Sequence, residues 1–159
     1  MADERIAAED VSVVHVVAKT HLDLGFTALA HEVEAQYLTD FFVRASATAR
    51  QLRERAGPER LVWTTGSWIL HRALADADPA RATAVAAAVE AGDLAWHAWP
   101  VTTHTELLDV GLGKAALGIS AELDRRFGRE TTAAKMTDVP GHTRGLVSLL
   151  AGAGVRFLH

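Results

Sequence analysis

Val11-Ser12-Val13-Val14-His15-Val16-Val17-Ala18 runs directly into Lys19-Thr20-His21-Leu22-Asp23-Leu24-Gly25-Phe26-Thr27. The first eight residues are a nearly continuous β-branched run, the pattern of a strand buried on both faces. His15 sits inside it and reads as a hydrogen-bonded core histidine. The polar segment after it falls at the strand's carboxyl end, where ligands collect in parallel βα folds. One stretch therefore predicts both the fold class and the place of the site.

The same grammar repeats outward. A long helical stripe carries Val33, Tyr37, Phe41, Ala45 and Leu52, and Gly57-Pro58 ends it. Leu61 to Thr64 reads as a second strand, followed by a short helix over Ile69 to Leu74. Asp78 caps a further helix with Pro79 at its first position, and Gly92 closes it. Leu94 to Trp99 is the third strand. Leu112, Ile119, Leu123 and Phe127 mark the next helix, Thr132 to Thr137 the fourth strand, Thr143 to Ala151 a helix and Val155 to Leu158 a fifth strand. Strands alternating with helices predict an α/β fold, a parallel sheet covered by helices. Residues 1–10 read as an acidic tail. An end at His159, just past an apolar run, predicts that residues 11–159 are the N-terminal part of a larger domain, the alternative being a small open sheet.

Composition narrows the function. The 159 residues are 49% hydrophobic and 23% charged, enough for one domain with a real core. A net charge of -4 supplies no basic field for nucleic acid or an anionic membrane. The absence of cysteine removes disulfides, iron–sulfur clusters, thiolate zinc sites and cysteine nucleophiles. The acidic start has no signal-peptide pattern, and the alanine-rich stretch from Ala80 to Ala91 is too short to cross a bilayer. The expectation is a cytoplasmic protein.

Two clusters carry chemistry. In an extended segment residues two apart point the same way, so His21 and Asp23 present a nitrogen and a carboxylate to one point. Leu22 and Leu24 then face the core, and Gly25 permits a tight turn. A converging histidine and carboxylate suit zinc; the bland reading is a surface histidine and a helix-capping aspartate. In Thr137-Asp138-Val139-Pro140-Gly141-His142-Thr143, Asp138 stands at a strand end, and Pro140-Gly141 turns the chain sharply into a helix. Taken alone, this cluster reads rather as a helix cap by Asp138 or Thr143. Both clusters lie at equivalent ends of one predicted sheet, which brings them together in space. His97 and His104 flank the third strand end as pocket-lining candidates. Trp63, Trp68, Trp96 and Trp99 read as sheet-packing residues. Ser67 has no G-x-S-x-G elbow around it.

With both clusters in view, the chain resembles the N-terminal catalytic domain of glycoside hydrolase family 38, the zinc-dependent retaining α-mannosidases. His21-Leu22-Asp23-Leu24-Gly25-Phe26 matches the family's H-x-D-x-G-(W/F), and Asp138 to Thr143 matches D-x-x-G-H-(S/T). Leu61 to Thr64 is similar to its second strand, and Val89 to Leu94 to its helix-to-third-strand connection. The resemblance implies a seven-stranded βα-barrel, of which this chain carries the first four to five units. It implies zinc held by His21, Asp23 and Asp138, with Asp138 also the nucleophile of a retaining mechanism. Phe26 takes the aromatic position, to pack against a sugar or fold into the core. Glu106 is the single acid matching the family's Asp-Glu pair, a ligand for substrate hydroxyls or a first-turn helix acid. His142 is expected to orient Asp138 or contact substrate.

The departures are Phe26 for the usual tryptophan, Asp138-Val139-Pro140-Gly141-His142 for D-P-F-G-H, and the loss of one acid beside Glu106. They mark a divergent branch and bear more on the sugar than on the metal. The general acid/base and a second histidine ligand come from later strand ends, so the chain alone is expected to be inactive. Two rival functions stand beside the glycosidase. One is a metal-dependent carbohydrate deacetylase, with an aspartate as base; the other is a non-catalytic carbohydrate-binding remnant. An open sheet edge gives a route to homo-oligomers.

Overall fold

The computed structural model describes residues 11–14, 16–139 and 141–159. The strand assigned to Val11 to Ala18 is the largest difference from expectation. Only Ala18–Lys19 (β1) pairs, and Val11, Val13, Val14, Val16 and Val17 stand 50% to 91% exposed. A β-branched run becomes a buried strand only when a neighbour pairs it and a second layer covers it. Among the described residues β1 is an edge strand paired with the next strand alone. His15 lies outside the described residues.

A continuous helical rod follows: α1 (Ala30–Gln36), a π turn (Tyr37–Phe41) and α2 (Phe42–Glu54). Val33 and Tyr37 are buried as the stripe predicts, but beyond the π turn the buried residues are Phe42 and Ala49. The wider turn takes up one extra residue and rotates the following stripe, so Phe41 and Ala45 move to the margin of the core. The second strand is β2 (Trp63–Gly66), two residues later than expected, in parallel register with β1 and with β3 (Leu94–His97). Between them come α3 (Ser67–Leu74) and α4 (Pro79–Glu90). Asp78 caps α4 as read, its Oδ1 accepting from the Ala80 N–H at 2.9 Å, with Pro79 at the first position.

The next helix, α5 (Val110–Phe127), buries Leu123 and packs Phe127 against the core as the stripe predicts, but Leu112 is exposed and Gly113, Leu117 and Ser120 are buried in addition. Its Asp109 cap and the left-handed Gly128 set its ends. β4 (Ala133–Ala134) pairs in parallel with β5 (Phe157–Leu158), and α6 (Gly145–Gly152) connects them. The outcome is a mixed α/β fold with a three-stranded and a two-stranded parallel sheet. The Ala98 N–H donates to the Ala133 carbonyl at 2.8 Å and bridges β3 to β4. One core joins the rod, α3 and α4 to β2 and β3 through Trp63, Ile69, Leu70, Val89 and Leu94. A second, with Trp99, Leu117, Met136, Leu146 and Leu150, lies under α5, α6 and β4. Trp63, Trp96 and Trp99 are buried and Trp68 packs against the first core, as read from the sequence. No described helix is long and apolar enough to cross a membrane.

The turn before α4 supplies a pH-dependent contact. Asp76 accepts two bonds from Arg81, at 2.8 and 2.9 Å, and one from the Asp78 N–H. The Arg81 hydrogen bonds first, then that backbone bond, hold its carboxyl below the ordinary range. A carboxyl lowered on folding contributes stability above its unfolded pKa and loses it as pH falls through the folded value. Arg81→Ala is therefore expected to lower the urea midpoint at pH 7, with the gap from wild type narrowing as pH falls below the ordinary carboxylate range of about 4. An equal deficit at pH 7 and below that range would remove the ion pair as the cause.

Candidate functional site

The loop after β1 and the loop after β4 meet over the carboxyl ends of the strands, although far apart in sequence. His21 Nε2 lies 3.6 Å from Asp138 Oδ2. His21, Asp23, Phe26, Thr102, His104 and Asp138 line one cavity of about 450 Å³. Leu22 and Leu24 pack against the first core, which orients the residues between them as the alternation predicts. The Tyr37 hydroxyl, from the π turn, donates to the His21 carbonyl at 3.3 Å, so the interruption in the rod braces the site loop. Gly25 takes φ +84° as the turn requires.

Asp138 also stands in left-handed backbone, at φ +66°. Aspartate tolerates this region better than most residues, but it remains a conformation held by its surroundings and typical of functional sites. Pro140, predicted to fix this turn, lies outside the described residues; Gly141 follows at φ +70°. The Asp138 side chain is 80% exposed and that of His21 30%.

The far side of the imidazole is held by hydroxyls. Thr102 Oγ1 and Thr137 Oγ1 each lie 3.4 Å from His21 Nδ1. Lys135 donates through its ammonium to Thr137 Oγ1, and its side chain is buried at the base of the site. A proton on Nδ1 shared with a threonine oxygen would leave the Nε2 lone pair on the Asp138 side, the tautomer a metal ligand needs.

The fit to zinc can be judged from these donors. Two ligands about 2.0–2.1 Å from a tetrahedral zinc stand roughly 3.3 Å apart. The His21–Asp138 separation of 3.6 Å is too long for a hydrogen bond and close to that spacing. Asp23 lines the same wall but does not complete the group: among the described residues no three His, Asp or Glu side chains cluster closely enough to hold a metal. The donor set thus suits zinc in kind, with one pair near its spacing and Asp23 on the same cavity wall.

Other expected residues divide. His104 lines the cavity, and its Nδ1 lies 3.4 Å from Glu106 Oε1. Glu106 sits on a single 3₁₀ turn (Thr105–Leu107), outside the cavity wall. Its carboxyl is held below the usual range by its own backbone N–H first, with His104 adding to the effect. His142 Nδ1 lies 3.4 Å from Thr105 Oγ1, and the described imidazole found beside the Asp138 carboxylate is His21. The Thr143 N–H donates to the same Thr105 hydroxyl at 3.0 Å, so Thr105 pins the loop. Phe26 is 87% exposed at the cavity mouth rather than folded into the core. Ser67 is fully buried and donates to the Ala98 carbonyl, a structural role.

Sequence reasoning missed Thr102, Thr137 and Lys135. It placed His97 at the pocket, where burial and the charge of Lys19 push its pKa down to about 4 and keep the ring neutral at pH 7. Compared with known protein families, curated proteins and solved structures, the chain matches none.

Proposed function

We propose that the chain carries the metal-binding part of a zinc-dependent retaining glycoside hydrolase of the α-mannosidase type, built on a βα-barrel. The observation that carries the reading is the approach of His21 and Asp138 to 3.6 Å from separate strand-end loops, on the wall that also holds Asp23. The parallel strands and the H-x-D-x-G-F and D-x-x-G-H-T sequences at their carboxyl ends support it. His21, Asp23 and Asp138 would hold zinc, which would keep the aspartate ionised and anchor sugar hydroxyls. Asp138 attacks the anomeric carbon through a carboxylate oxygen as the glycosidic bond breaks, and water later releases the sugar from that ester. Thr102 and Thr137 hold the His21 ring, and Phe26 offers an exposed ring face to the sugar.

Metal-dependent carbohydrate deacetylation is the second reading. The direct His21–Asp138 approach favours it, since a carboxylate beside an imidazole also serves as a base for water. A mechanism-based glycosyl fluoride separates them: an ester on Asp138 belongs to the glycosidase alone.

Elemental analysis of dialysed protein tests the metal. About one zinc per chain is expected in wild type, lost in both Asp23→Ala and Asp138→Ala. Zinc-free wild type, in this chain and in the intact gene product, would sink the reading.

A further inference from the structure

Beneath the main cavity is a second, far smaller one of about 20 Å³, lined by Thr20, His21, Gly66, His97, Thr102 and Lys135. It shares His21, Leu22, Val101 and Thr102 with the wall of the larger cavity, so the two adjoin. Its volume holds one water or one ligand oxygen. Two of its polar groups are poorly matched by the protein. His97 Nδ1 is buried with no hydrogen-bond partner among the described residues. Lys135 is only 9% exposed, and the partner found for its ammonium among the described residues is the neutral Thr137 hydroxyl. That hydroxyl occupies one of three ammonium protons and neutralises no charge.

A buried cation without a counter-charge is costly, and Lys19 stands close enough to His97 to add a second positive charge. The small cavity that Lys135 lines has no Asp or Glu among its described residues. Asp138 faces solvent at the mouth and is directed to His21, so water screens it, whereas Lys135 lies at the floor where screening is weak.

We infer that Lys135 and His97 form an oxyanion subsite at the floor of the candidate site, and that the substrate is an acidic sugar whose anionic oxygen fills the small cavity. The identity of the sugar rests on the glycoside reading above; the anion subsite does not. The ammonium donates to the anionic oxygen, and the neutral His97 ring lines the same small cavity without adding a competing negative charge. Sugar carboxylates and sugar phosphates share this chemistry.

The test is equilibrium binding to the purified chain, wild type against Lys135→Met and Lys135→Arg, with melting temperatures as the check on folding. The ligands are methyl α-mannoside, its uronate, mannose 6-phosphate and free acetate. Wild type is expected to prefer an acidic sugar over the neutral one by about ten-fold or more, the margin of a charge-assisted over a neutral hydrogen bond. Lys135→Met should erase that preference, read as the ratio of acidic-sugar to neutral-sugar affinity within each variant, while Lys135→Arg keeps most of it. Whichever acidic sugar binds more tightly names the substituent. Should Lys135→Met not fold, Lys135→Gln makes the same comparison. Equal binding of neutral and acidic sugars by wild type, or a preference surviving Lys135→Met, overturns the inference. If no sugar binds, the glycoside reading fails and acetate decides: Lys135-dependent acetate binding, followed on the Thr137 methyl resonance, upholds the subsite, and its absence overturns it.

Discussion

Asp138→Asn in the intact gene product is expected to cut turnover of 4-nitrophenyl α-mannoside by about a thousand-fold or more, since it removes the attacking carboxylate. Asparagine is the right replacement because the backbone here is left-handed, at φ +66°. Asparagine tolerates that region about as well as aspartate, whereas alanine would add strain to the chemical loss. The amide keeps the shape and can still approach His21, but it is a very poor nucleophile. Initial rates and melting temperature should therefore separate, the first collapsing while the second stays near wild type. A variant that keeps more than about a tenth of the rate would rule out Asp138 as the nucleophile. The deacetylase reading would then gain only if acetyl-sugar hydrolysis were found.

Trp99→Ala should be the most damaging change to stability, at about 3–5 kcal/mol. The ring is 1% exposed in the second core, and its Nε1 donates to Thr103 Oγ1 at 3.2 Å. Truncation empties that volume and frees the segment carrying Thr102 and His104 into the site. It also loosens the region next to Ala98, whose N–H bridges the two sheets. Urea denaturation measures the loss, and Trp99→Phe should fall in between by keeping most of the ring and losing the indole donor. A cost for Trp99→Ala under about 1 kcal/mol would mean that the bridge does not depend on this side chain.

Much of this molecule was readable before any coordinates. Asp78 and Pro79 start α4 as their chemistry demands, because a cap and a fixed φ act within one turn of chain. The alternation read from the sequence packs Leu22 and Leu24 against the first core, while all four residues from His21 to Leu24 border the cavity. The parallel arrangement followed from helices separating successive strands.

The errors share one cause. Burial of Val11 to Val17 depends on a neighbour and a cover, and a β-branched run carries no record of either. The shift of the buried stripe from Phe41 to Phe42 comes from a π turn, which hydrophobic spacing does not announce. Likewise the motif carries no record that His142 meets Thr105 on another loop, or that the His21 ring from the loop after β1 comes within 3.6 Å of Asp138.

By itself, then, the sequence determined what local rules decide: helix ends, strand order and the polar residues at strand ends. Only the tertiary structure decided what depends on residues distant in the chain. It placed Thr102 and Thr137 behind the His21 ring, turned Asp138 into left-handed backbone and buried Lys135 below them. Caps and alternation act over a few covalent bonds, whereas partner choice and desolvation are set by whatever the fold brings within a few ångströms.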